Sequence, residues 1–97
     1  MPNLPMGAVV ETNALSPRHL IEPVFAGATP ASVLPLVTRH VLNQEITLSA
    51  ALTCDRKLGF TTFMNDPQLA FVSPAEGEKL FSEMLENQRQ YLPGEWF

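Results

Sequence analysis

Apolar and polar positions alternate across residues 8–15. Ala8, Val10, Thr12 and Ala14 share one face and Val9, Glu11, Asn13 and Leu15 the other, the period-two pattern of a strand. Ser16, Pro17, Arg18 and His19 interrupt it with a turn, and the β-branched and aromatic run over residues 20–26 predicts a second strand. Pro23 has no N–H to give a ladder, so this strand is expected at an edge or with a bulge. The period then lengthens. Thr29 and Pro30 read as an N-cap and a first helical position, and Leu34, Val37, Val41, Leu48 and Leu52 recur at helical spacing, an apolar stripe interrupted by Gln44 and Glu45. With Pro30 at the helix start, Pro35 would kink the second turn.

Asp55 is placed to cap a short helix through Phe60, Phe63 and Met64, stopped at Asp66-Pro67 because the residue before a proline is pushed out of the α region. Ser73, Pro74 and Glu76 form the sharpest local signal, a capping box. Leu80, Phe81, Met84, Leu85, Gln88 and Tyr91 then fall on one helical face, with Glu78, Lys79, Ser82, Glu83, Glu86 and Arg89 largely opposite. Pro93-Gly94 ends this pattern, and the aromatic tail of Trp96 and Phe97 is expected to dock back on the helices. The fold class is therefore α+β: an N-terminal β-hairpin packed on about three α-helices. One domain is expected over residues 1–97, loop and hairpin over 1–28 and helical over 29–97.

Composition narrows what such a domain can do. Ninety-seven residues at 45% apolar and 16% charged supply one modest core and exclude a two-domain enzyme. The net charge of −4 is uneven: residues 1–58 balance to zero, and residues 59–97 carry the whole excess. A nucleic-acid partner needs a basic stripe to neutralise phosphates and is not expected. Cys54 is the lone cysteine, which fits a reducing compartment. No basic segment precedes an apolar leader and no run approaches the ~18 apolar residues of a span, so no membrane association is expected and the cytoplasm is the default location.

Candidate chemistry is sparse. His19 and His40 fall in different elements with no further Cys or His at ligand spacing, and Cys54 beside Asp55 lacks the base and orienting group of a nucleophile. Glycine-rich phosphate loops, G-x-S-x-G and H-E-x-x-H do not occur. No catalytic, cofactor-binding or metal-ligating residue is assigned. The polar break of His40, Asn43, Gln44 and Glu45 carries more weight: it meets a polar partner in the core, lines a cleft, or lies at the edge of the stripe in water.

Several segments in order bear a resemblance: Asn3-Leu4-Pro5, the strand from Ala8 through Leu15, Pro23-Val24, Gly27-Ala28-Thr29-Pro30, Asn43-Gln44-Glu45, Ala50-Ala51-Leu52-Thr53, Asp66-Pro67, and Met84-Leu85 through Tyr91-Leu92-Pro93-Gly94. Together they resemble the last part of glycoside hydrolase family 4, which comprises α-galactosidases, α- and 6-phospho-α-glucosidases, α-galacturonidases and relatives. The resemblance implies part of a lactate-dehydrogenase-like C-terminal domain. It implies a parent that binds NAD in a Rossmann-type domain and a divalent metal, usually manganese, through an upstream Cys and His. The parent oxidises the sugar at C3 so that the C2 proton becomes acidic, and the metal stabilises the developing oxyanion. Cys54 and His40 do not match those metal ligands.

For this chain the resemblance implies architecture rather than chemistry. Its strands belong to the domain's sheet, its helices pack on that sheet and contribute subunit contacts, and Asn3 lies in the loop leading into the first strand near the substrate side. The expected partners are further copies of the chain and the missing N-terminal NAD-binding part. Three departures stand out: Ser16-Pro17 interrupts a longer hairpin, Pro35 replaces an ordinary helix former, and Cys54 replaces a common glycine before Asp55. The expected role is a C-terminal fragment inactive by itself; a stand-alone interaction or dimerisation module is the alternative.

Overall fold

The computed structural model describes residues 1–97. Strands β1 (Ala14–Leu15) and β2 (Glu22–Pro23) form an antiparallel pair, Ala14 opposite Pro23 and Leu15 opposite Glu22. The strands expected over residues 8–15 and 20–26 shorten to this two-residue ladder. Their flanks have no further strand to pair with, and every residue from 9 to 26 is exposed. Val24 N–H donates to Asn13 O at 2.8 Å, so Asn13 and Val24 are a hydrogen-bonded pair and Ala14 and Pro23 the non-hydrogen-bonded pair beside it. The Pro23 nitrogen therefore points to the outer edge of β2, and the ladder loses no bond to it.

Helix α1 spans Leu34–Thr53, four residues later than the Thr29-Pro30 signal places it. Had the helix run from Pro30, the Pro35 ring would have met the carbonyl of Ala31. Starting at Leu34 leaves Pro35 in the first turn, where no N–H is needed and no kink follows. The preceding turn closes on Pro30 O, which accepts from Val33 N at 3.1 Å and Leu34 N at 3.0 Å. At the other end Asp55 N–H returns to Ala50 O at 3.1 Å with Cys54 at φ 51, the left-handed closure that usually selects glycine.

Asp55 turns back to an extended conformation and caps α2 (Arg56–Met64), its Oδ1 accepting Leu58 N–H at 3.0 Å. Asp66 Oδ1 accepts Gln68 N–H at 2.8 Å and opens a 3-10 turn over Pro67–Leu69. Helix α3 (Pro74–Asn87) starts in the expected capping box, Glu76 N–H donating to Ser73 Oγ and Ser73 N–H to Glu76 Oε2, both at 3.3 Å. It ends at Asn87, ahead of Pro93-Gly94, and 3-10 turns over Arg89–Tyr91 and Gly94–Trp96 complete the chain. Tyr91 is thus off the helix and exposed.

Two compact units divide the chain, Met1–Val41 and Leu42–Phe97, with the boundary inside α1. In the first, Leu4, Thr29 and Val41 are buried. In the second, Ala50, Phe81 and Trp96 form the core, with Phe60, Phe63 and Leu85 packed against it. The Phe81 ring lies 5.7 Å from Phe60 and 5.3 Å from Phe63, both tilted. Gly77 of α3 is buried because the Met64 sulfur fills the space where a Cβ would stand. The apolar stripe read from the sequence is not the face that builds this core: Leu48 and Leu52 are 54% and 77% exposed, about 200° around the helix from Ala50. The aromatic rings of Phe81 and Trp96 take up the space, and the small side of α1 meets them.

Candidate functional site

Asn3, the residue suggested for a substrate-side loop, uses its amide on the chain itself. Its Nδ2 donates to Thr29 O at 2.8 Å and its Oδ1 accepts Thr29 N–H at 2.9 Å, a two-point match between a side-chain amide and a peptide. Thr29 Oγ1 reaches Met1 Sδ at 3.4 Å. Thr29 is thereby a pinned loop residue rather than the cap of α1, and the loop leading into the hairpin is fixed to the segment leaving it.

The second unit carries an open groove of about 510 Å³. Helix α1 supplies Ala50 and Ala51, α3 supplies Leu80, Phe81 and Leu85, and Trp96 and Leu92 come from the C-terminal segment. One end is polar. Asn43 Nδ2 donates to Thr62 O at 2.9 Å, Thr62 Oγ1 donates to Asn43 Oδ1 at 2.7 Å, and Thr47 Oγ1 lies 2.8 Å from both Thr62 Oγ1 and Asn43 O. This is a closed clamp between α1 and α2, and no buried side-chain polar atom is left without a partner. Of the polar break, Asn43 thus meets a polar partner and borders the groove, while His40, Gln44 and Glu45 are exposed along α1.

Arg56 fixes the C-terminal wall of the groove. Its Nη1 donates to Trp96 O at 3.2 Å and its Nη2 to Ser82 Oγ at 2.8 Å, with Glu78 Oε1 at 3.9 Å and the Phe81 ring centroid at 5.8 Å. Neither Arg56 nor Thr62 stood out in the sequence. The one local clue was Gly59 in the middle of α2, a costly residue there unless something approaches closely; the Trp96 ring does. The docked tail itself follows the expectation for Trp96, which is 9% exposed.

Two charged residues lie outside this arrangement. Arg89 donates from Nε and Nη2 to the Glu86 carboxylate, both at 2.7 Å, and its guanidinium lies 3.9 Å from the Phe97 ring centroid. Those hydrogen bonds hold the Glu86 carboxyl below the usual glutamate range and raise Arg89. The groove offers a hydrocarbon wall with an amide and hydroxyl end, a surface for holding an apolar segment. Asp66 at its rim is already engaged as a turn former. The donors do not fit a metal centre: nowhere do three His, Cys, Asp or Glu side chains converge, and Cys54, His19 and His40 lie in separate parts of the chain. No helix is long and apolar enough to cross a membrane.

The structure is thus a short antiparallel hairpin followed by three α-helices. The chain belongs to the family 4 glycosyl hydrolases by their C-terminal domain, whose profile matches residues 1–69. It is 52% identical over 91 residues to an alpha-galacturonidase of Thermoanaerobacterium saccharolyticum, covering 94% of this chain and 19% of that protein. It is 43% identical over 95 residues to an alpha-galacturonidase of Lachnoclostridium phytofermentans, covering 97% and 20%. An alpha-galactosidase of Bacillus subtilis is 35% identical over 65 residues, 67% of this chain and 15% of that protein. The chain thus spans about a fifth of the length of the first two relatives. No solved structure matches it.

Proposed function

We propose that the chain serves as the C-terminal part of an α-galacturonidase of family 4, acting in the cytoplasm on α-linked galacturonides, and that by itself it turns over no glycoside. The observation that carries this reading is the run of relatives named alpha-galacturonidase, at 38–52% identity over 84–95 residues, against 35% over 65 residues for the relative named alpha-galactosidase. In this reading NAD and manganese are held by residues outside the chain, as the family resemblance implies. The chain contributes packing, the loop that carries Asn3, and contacts between copies of the whole enzyme. Exposed Leu48 and Leu52 on α1 supply apolar area for such contacts.

The test is a graft in which this chain replaces the matching fifth of the Thermoanaerobacterium enzyme. With NAD, manganese and a reductant, the graft is expected to release galacturonate from an α-galacturonide, and the chain alone to release none. Turnover by the purified chain, or a working graft that prefers an α-galactoside, would overturn the reading.

A further inference from the structure

Helix α1 turns its less apolar side to the core of the second unit. Ala50 is the α1 side chain buried there, while Leu48 and Leu52, on the far side of the helix, face outward. A leucine buries far more apolar area than an alanine methyl, so area alone favours the opposite orientation, with the leucines inward. The rings of Phe81 and Trp96 oppose that roll only while Trp96 stays seated. The backbone N–H groups of its segment are spent within it, Trp96 N–H on Pro93 O at 3.2 Å and Phe97 N–H on Gly94 O at 3.0 Å, so the tail can leave without breaking a helix or a ladder. Two packings therefore compete: Ala50 against a seated Trp96, and Leu48 and Leu52 against the space that Trp96 vacates.

What separates them is polar. Asn43 and Thr47 lie within about 60° of Ala50 around the helix, and both engage the buried Thr62 near the end of α2. Thr62 O is a carbonyl of the last helical turn, and the Asp66 N–H that a continuing helix would bring to it goes to Phe63 O at 3.2 Å instead. Asn43 Nδ2 supplies the missing donor. Its Oδ1 takes the Thr62 hydroxyl, so one amide reads both the carbonyl and the side chain of one residue. Rolling α1 carries that amide away and leaves the Thr62 groups buried without it, a penalty that falls on one orientation and not on the other.

We propose that the clamp of Asn43, Thr47 and Thr62 is an orientation selector for α1, holding Ala50 inward and Leu48 and Leu52 outward and thereby keeping Trp96 in its seat. A buried asparagine fixes register in coiled coils in the same way, by penalising every arrangement that leaves it unpaired. The device has two states. With the clamp broken, α1 rolls, the leucines enter the core and the tail is released. The groove wall formed by Leu92 and Trp96 exists only in the clamped orientation. The leucine surface on α1 likewise depends on polar side chains that lie on the other side of the helix. The inference does not depend on which glycoside the parent enzyme cleaves.

Trp96 emission in the purified chain tests the selector. At neutral pH, Asn43→Asp removes the amide donor and sets a carboxylate against the Thr62 carbonyl. The expected result is a folded chain whose emission moves to the red and whose quenching by acrylamide rises several-fold. Adding Leu48→Ser and Leu52→Ser to that variant is expected to return both to the wild-type values, because the competing face is gone. The two serine substitutions alone should change neither. If Asn43→Asp does not fold, the same comparison is made on Thr62→Val, which keeps the shape and removes only the hydroxyl bonds. A folded clamp variant with the wild-type spectrum overturns the proposal, since the rings alone would then orient α1. A red shift that the serines do not reverse also overturns it, because the clamp would then only tie α1 to α2.

Discussion

Cys54 holds φ 51 so that Asp55 can both close α1 and open α2, and an L side chain in that region crowds its own backbone at roughly 1–2 kcal/mol. Cys54→Gly is expected to recover about 0.5–1 kcal/mol after glycine's greater chain entropy is set against the strain, a rise of about 4 °C in melting temperature. Cys54→Ala keeps the Cβ and should gain nothing; equal gains in both variants would mean that the thiol, not the backbone, is at fault. Glu86 gives a second prediction at this scale. Its folded pKa is depressed by the hydrogen bonds from Arg89, so its contribution is fully present above the unfolded value and is lost as pH falls through the folded one. Carbon-detected titration should place the Glu86 midpoint lower in the native chain than in Arg89→Ala. Both groups are exposed, and solvent screening keeps the effect on stability small.

Among the elements, α2 has an interior fixed by a residue far along the chain. A Cβ on Gly59 would stand 3.0 and 3.2 Å from the Trp96 ring and 3.4 Å from Phe81. Gly59→Ala is therefore expected to cost about 1–3 kcal/mol by overpacking, despite the better helix propensity of alanine. Trp96 is the sole tryptophan, so its emission should shift to the red as the ring is displaced, and an unshifted spectrum would show that the tail does not seat there. The same elements show why some boundaries are readable and others are not. Asp55, Asp66 and the Ser73–Glu76 box act within three residues of themselves, so sequence alone places them. The start of α1 is decided by a conflict between two prolines, Pro30 and Pro35, and the face it buries by aromatic rings from α3 and the tail. Neither influence is local, and the spacing of Leu48 and Leu52 carries no sign of it.

For the whole molecule, the family was legible from many short segments in order, although none of them is diagnostic. The length of the hairpin was not, because a ladder needs a partner strand as well as an alternating sequence, and residues 8–12 have none. The groove escaped notice for a related reason: Asn43, Thr62, Phe81 and Trp96 come from four separate stretches, and only folding brings them together. The polar break marks Asn43 and the aromatic patterning marks Phe81 and Trp96 one by one, while Thr62 carries no sign in the sequence.

The seating of the Met64 sulfur over Gly77 makes the second unit vulnerable to oxidants. The thioether already occupies the room that a methyl group on α3 would claim, so a sulfoxide oxygen adds bulk and polarity where α2 and α3 meet. Met6 is fully exposed and can be oxidised without disturbing any packing. Mild peroxide should therefore lower the melting temperature of the native chain, methionine sulfoxide reductases should restore it, and Met64→Leu should resist the change. In a cell the lifetime of this domain would then follow the peroxide level and the repair capacity around it.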